Sequence, residues 1–179
     1  ESLGSSIALL CGYDADTVVM PSTLAPVYDS QLRGMSYEDD LELAKQNSFS
    51  IWQKRSELRQ AQNAYDEDIS GTDYAVQSAK DALAAEQQAV ESSFGTIFQG
   101  VADSRAALDA ARTAEQQAEL DFRTSQVQYS RGMISELAYR QAQDTLENAK
   151  DAVEIAQLNL TSAYNQYEWA KQGVMTTAA

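Results

Sequence analysis

Histidine is absent from this chain, cysteine occurs once, and both prolines fall within the first 26 of its 179 residues. Each shortage closes off some chemistry. Without histidine the commonest metal ligand and general base is missing, and one cysteine cannot build a thiolate metal site. The lone Cys11 also rules out an internal disulfide, and a free cysteine of this kind is expected in the interior. No stretch approaches the roughly 20 continuous apolar residues that a membrane-spanning helix needs. Glycine-rich phosphate loops and a nucleophile elbow are likewise missing. These gaps point away from an enzyme, and neither a cofactor nor a metal is expected.

Positive charge is scarce too. Thirteen Lys and Arg stand against 27 Asp and Glu, for a net charge of -14. With a pI near 4.2 and no basic stripe, the chain repels nucleic acid, which is not an expected partner. The acidic clusters Glu38-Asp39-Asp40 and Asp66-Glu67-Asp68 lack the alternating oxygen ligands and glycine turn of a calcium loop, so they read as helix-end or solvated runs. Asn159-Leu160-Thr161 fits a glycosylation acceptor, but it falls within a helical run. The aromatic residues, Trp52 and Trp169 among them, read as packing residues and not as a ligand cage.

What the chain has in quantity is a heptad code. After the segment Ser130 to Ser135, large residues recur every seventh position at Tyr139, Leu146, Val153, Leu160 and Tyr167. Ala142, Ala149, Ala156, Ala163 and Ala170 follow three residues behind them. Before the segment, Phe94, Val101, Leu108, Phe122 and Tyr129 form the large set, interrupted by Glu115, beside Ile97, Ser104, Ala111, Ala118 and Ser125. A seven-residue apolar repeat makes helices supercoil with knobs in holes, and pairing large with small residues lets the backbones come close. Gly132 suits a left-handed helix end and Ser135 an N-cap, so a short turn joins two antiparallel arms. The expected fold class is therefore all-α, a long helical hairpin within a coiled-coil bundle of three helices.

Punctuation divides the rest of the chain. Gly4, Gly12, Pro21, Pro26 and Gly34 make residues 1–34 a frayed helix end followed by an extended connector. Ser36-Tyr37-Glu38-Asp39 carries an N-cap and an acidic first turn, which starts a helix expected over about 36–68. Gly71 stops it, with Thr72 or Asp73 as the next cap, and two further helices are expected over about 74–130 and 135–172. The step of four from Val90 to Phe94 breaks the apolar spacing as a stutter would, and the second helix is expected to bend there. Residues 174–179 read as a disordered tail.

The run from Tyr129 through Arg131-Gly132-Met133-Ile134-Ser135 to Leu137, Gln141-Ala142, Leu146 and Ala149 resembles the hairpin segment of the TolC-type outer-membrane efflux proteins. Upstream, Met35-Ser36-Tyr37-Glu38-Asp39-Asp40-Leu41 through Asn47-Ser48 resembles the start of a family repeat, and Leu9-Leu10-Cys11-Gly12-Tyr13-Asp14 the end of the preceding one. On that resemblance residues 35–173 are the second of two repeats, and a chain that starts at Glu1 is expected to be cut from a longer protein. The chain departs from the family between the first two helices, where members carry two strands of a membrane barrel. Asp66 to Tyr74 offers no such pair, so the chain resembles a barrel-less relative.

The resemblance implies a conduit or stalk component of an efflux assembly in the cell envelope, outside the cytoplasm. Its implied partners are further copies of itself, a membrane-fusion adaptor and an inner-membrane transporter. The adaptor would engage the tip residues Arg131, Gly132, Met133, Ile134 and Ser135, while Ala142, Ala149, Ala156, Ala163, Leu146, Val153 and Leu160 hold the hairpin together. The competing reading is a structural coiled-coil spacer or adhesion stalk without transport.

Overall fold

The computed structural model describes residues 11–12, 14, 26–65 and 71–175. Among these the regular structure is entirely helical, with five helices: α1 (Asp29–Arg33), α2 (Tyr37–Asn47), α3 (Phe49–Asn63), α4 (Thr72–Ser130) and α5 (Glu136–Lys171). At 1.5 Å per residue the 59 residues of α4 span about 88 Å, and this helix is the spine of a rod. α5 packs antiparallel along its second half, and α3 lies against its first part. α2 covers the groove between α4 and α5.

The heptad seam is where the sequence puts it. Every position of both repeating sets is buried or half-buried except Tyr129, which is 41% exposed and stacks on Tyr139 with ring centroids 4.9 Å apart. Leu146, Ala156 and Leu160 are buried on α5, while Ala142, Ala149, Val153 and Ala163 are half-buried on the same seam. Even Glu115, the one charge in the large set, sits half-buried there. The stutter also has a structural meaning: Val90 lies beside Ser48 and Phe49 at the start of α3, whereas Phe94 packs on Tyr167 of α5. The apolar stripe of α4 thus shifts register where the helix changes partners, and α4 runs through the shift as one helix.

Several expectations are corrected. The first helix is not continuous over 36–68: it breaks at Ser48, whose ψ of 120° is extended, and the next helix ends at Asn63. Ser48 is an N-cap in its own right, its hydroxyl accepting from the Ile51 N–H, and the gap it opens admits the end of α5. α4 starts from Gly71, at φ +96°, so Thr72 and Asp73 lie inside the helix instead of capping it. The connector contains the short α1, and Val27, Leu32 and Met35 pack against the core around it. Cys11 is exposed, on a turn with Gly12, and not in the interior. Trp52 and Trp169 are not core packing residues: they are 61% and 54% exposed, and Trp52 stacks on Phe49, which is itself exposed. Most of residues 1–25, the cluster at 66–68 and residues 176–179 lie outside the described residues, while Met175 packs against the core.

Candidate functional site

The hairpin apex is built from two complementary caps. At the end of α4 the Met133 N–H donates to the Gln128 carbonyl and the Gly132 N–H to the Tyr129 carbonyl, at 2.8 and 2.9 Å. This is the Schellman pairing, and it needs the left-handed backbone that Gly132 supplies at φ +68°. Ser135 then caps α5, its hydroxyl accepting from the Ala138 N–H at 3.2 Å. The five tip residues from Arg131 to Ser135 are therefore held in one tight, defined turn. Ile134 is half-buried, but Met133 and, one step into α5, Leu137 are 67% and 68% exposed. Below them the Tyr129 ring stacks on Tyr139, whose ring centroid is 5.6 Å from that of Phe122.

A second constellation lies at mid-rod. Asp40, the last acid of the cluster that opens α2, is buried against α5. Its carboxylate accepts the Tyr167 hydroxyl and the Ser36 N–H, the latter at 2.9 Å, and Lys171 stands 4.0 Å away. Lys171 also lies over the Tyr167 ring, 5.0 Å from its centroid. Burial, reinforced by the Asp40 carboxylate, holds the Tyr167 phenol far above its ordinary range. Tyr164 is pushed up to about 12, by burial first and the neighbouring Glu168 second. Tyr37, Phe94 and Phe98 close around Tyr167 with ring centroids 5.3–6.4 Å apart.

Just beyond, α5 ends in a second Schellman turn, with Val174 donating to Trp169 and Gly173 to Ala170. Gly173 abuts the break in the first helical segment so closely that a Cβ there would stand 2.4 Å from the Asn47 carbonyl oxygen. Asn47 in turn donates its side-chain amide to the Lys171 carbonyl at 2.9 Å. Gly173 and the Asn47-Ser48 pair each carry a local signal for a helix end. That the two ends meet was not legible without the fold.

In this mid-rod knot the polar groups satisfy one another. Among the described residues no group of three or more His, Cys, Asp or Glu side chains could hold a metal ion, and no helix is long and apolar enough to cross a membrane. The fold and its sites define an elongated protein of packed long helices. No family model, curated protein or solved structure matches the chain.

Proposed function

We propose that the chain is a conduit or stalk component of an export assembly in the cell envelope, outside the cytoplasm, that docks a membrane-fusion adaptor through its hairpin tip. The observation that supports this is the apex itself. Two large apolar side chains, Met133 and Leu137, stand in solvent at the end of a long rod, on a turn fixed by caps at both sides. A rigid turn presenting apolar knobs within a polar rim of Arg131, Ser135 and Arg140 has the make-up of a small docking surface.

The flanks of the hairpin suit assembly side by side. By helical periodicity Leu137, Ile155, Leu158 and Trp169 line the face of α5 turned away from α4, and Leu120 and Val127 lie well off the seam on α4; all six are exposed. Different apolar edges on the two sides of one subunit favour head-to-tail contacts that close into a ring. Such a ring would receive its cargo from an inner-membrane transporter through the adaptor. The competing reading, a coiled-coil spacer without transport, is favoured by the unbroken length of α4, which serves a strut as well as a channel wall.

Met133→Ser combined with Leu137→Ser separates the two. Both positions are exposed, so stability should change by no more than about 0.5 kcal/mol. Binding to a membrane-fusion adaptor purified from the same organism, and export in cells, should both be lost. Unchanged adaptor binding by the double variant would reject the tip as the docking surface.

A further inference from the structure

We propose that two copies of this chain pair as an antiparallel dimer, the outer face of α3 in each lying on the outer flank of α5 in the other. The inference rests on these two helices and makes no use of the hairpin tip. α3 is unlike its neighbours: with Lys54, Arg55 and Arg59 against Glu57 alone, it is the one described helix whose net charge is positive. Lys54 pairs with Glu57 at 2.7 Å, but among the described residues Arg55 and Arg59 have no carboxylate partner. Trp52, one turn before Arg55 and two before Arg59, is 61% exposed and stacks on Phe49, 70% exposed, with centroids 5.5 Å apart. Arginine beside exposed aromatic side chains, on a chain of net charge -14, is a surface made for an acidic and apolar counterpart.

The chain carries that counterpart itself. On the face of α5 turned away from the seam, the acidic Asp144 and Asp151 are followed by Ile155 and Leu158, all exposed. The order is reversed with respect to α3, where the aromatic pair precedes the arginines. Trp52 and Arg59 are seven residues apart, as are Leu158 and Asp151, so each pair spans about 10 Å of helix. Laid antiparallel, Trp52 meets Leu158 while Arg59 meets Asp151.

The rod makes this pairing reciprocal. α3 and α5 follow one another along the same spine, because the end of α5 meets the start of α3 where Gly173 abuts Asn47 and Ser48. The pairing requires that the exposed flank of α3 carrying Trp52 and Arg59 and the flank of α5 opposite buried Leu160 open to one side of the rod. When one rod is turned end for end against another, the contact forms twice about a two-fold axis, the commonest symmetry of soluble oligomers. Trp169 falls beside that axis, which gives its exposed ring a place to go. A parallel pairing would instead set the acidic flanks of α5 side by side. The dimer covers the α5 flank that a ring would also need, so the two assemblies exclude each other.

Charge exchange tests the proposal by sedimentation equilibrium on the chain of 179 residues. The wild type should dimerise, and Arg59→Glu or Asp151→Arg alone should each weaken the dimer about tenfold or more, since each leaves charges unpaired at both copies of the contact. Arg59→Glu and Asp151→Arg placed together in one chain should restore dimerisation, because each reversed residue meets its reversed partner across the axis. Far-UV circular dichroism on all variants checks that the helices are intact. A monomeric wild type, single variants that dimerise normally, or a double variant no better than the singles would each overturn the pairing. None of these results bears on adaptor binding, which the tip variant reads separately.

Discussion

Single residues decide how this rod is fastened, and its glycines show how differently one residue type acts. Gly132 and Gly173 both adopt the left-handed backbone that ends a helix, at φ +68° and +83°. A side chain at Gly132 would meet nothing within 4 Å, so its cost is conformational alone, whereas at Gly173 it would also strike the Asn47 and Ser48 backbone. Gly173→Ala should therefore cost about 1–2 kcal/mol for the backbone and about 1–3 kcal/mol more for the collision. Gly100, inside α4 with open space around it, behaves in the opposite way: Gly100→Ala should stabilise by about 0.4–1 kcal/mol. Urea titrations of the two variants should move the midpoint in opposite directions. Gly132 was legible because a helix reversal is a local event. The collision at Gly173 was not, because Asn47 lies 124 residues from Lys171 and only the fold brings them together.

At the scale of elements, periodicity made the α4–α5 seam readable, because a repeat of seven names both the interface and its partner's direction. The same signal failed between Tyr37 and Tyr65. There the apolar spacing persists across Ser48, but the backbone takes the cap that Ser48 offers, and tertiary contact with the end of α5 settles the choice. The exposed tryptophans misled for a related reason: an aromatic side chain announces apolar area without saying whether its own chain covers it. What holds α2 in place is also invisible to periodicity, since Asp40 looks like one more acid in a first turn. Removing its carboxylate by Asp40→Ala leaves the buried Tyr167 hydroxyl and the Ser36 N–H without their acceptor, a loss of about 1–3 kcal/mol. The tyrosines give this fastening an alkaline limit. Both are neutral acids whose ionisation the fold suppresses, so the unfolded chain gives up these protons first, from about pH 10. Their contribution is intact below that pH and is lost as pH rises through about 12, where Tyr164 ionises, and beyond. Denaturant titrations across that range should show stability falling, and Tyr167→Phe should flatten the slope. A slope unchanged in the variant would mean that Tyr167 is not the suppressed group.

Over the whole molecule, packing is concentrated in the middle and thins toward the end where α3 and the start of α4 lie. Around Tyr167 three helices converge, with Leu41, Ala44, Phe94, Val101, Leu160 and Ala170 buried in one cluster. Where α3 lies on α4, by contrast, Ile51 and Val90 are the buried apolar residues among those described, and both lie near the mid-rod. Farther out the contact is between half-buried residues such as Leu58, Ala82 and Leu83, with Tyr65 and Tyr74 exposed. Helices in pairs with little buried area rely on their own propensity, which is marginal in water at the length of α3. Hydrogen exchange should therefore divide the rod. Amides of residues 94–108 and 156–170 should exchange only through global unfolding, and those of 53–63 and 74–86 through local opening at lower free energy. That local opening has a further signature if α3 is covered by a second copy. A contact that binds only the folded helix stabilises it by mass action, so protection of 53–63 should rise with protein concentration while protection of 94–108 stays constant. Uniform protection along α4 at every concentration would show that the thinly packed end is held as firmly as the aromatic cluster, and that buried apolar area does not set the order in which this rod opens.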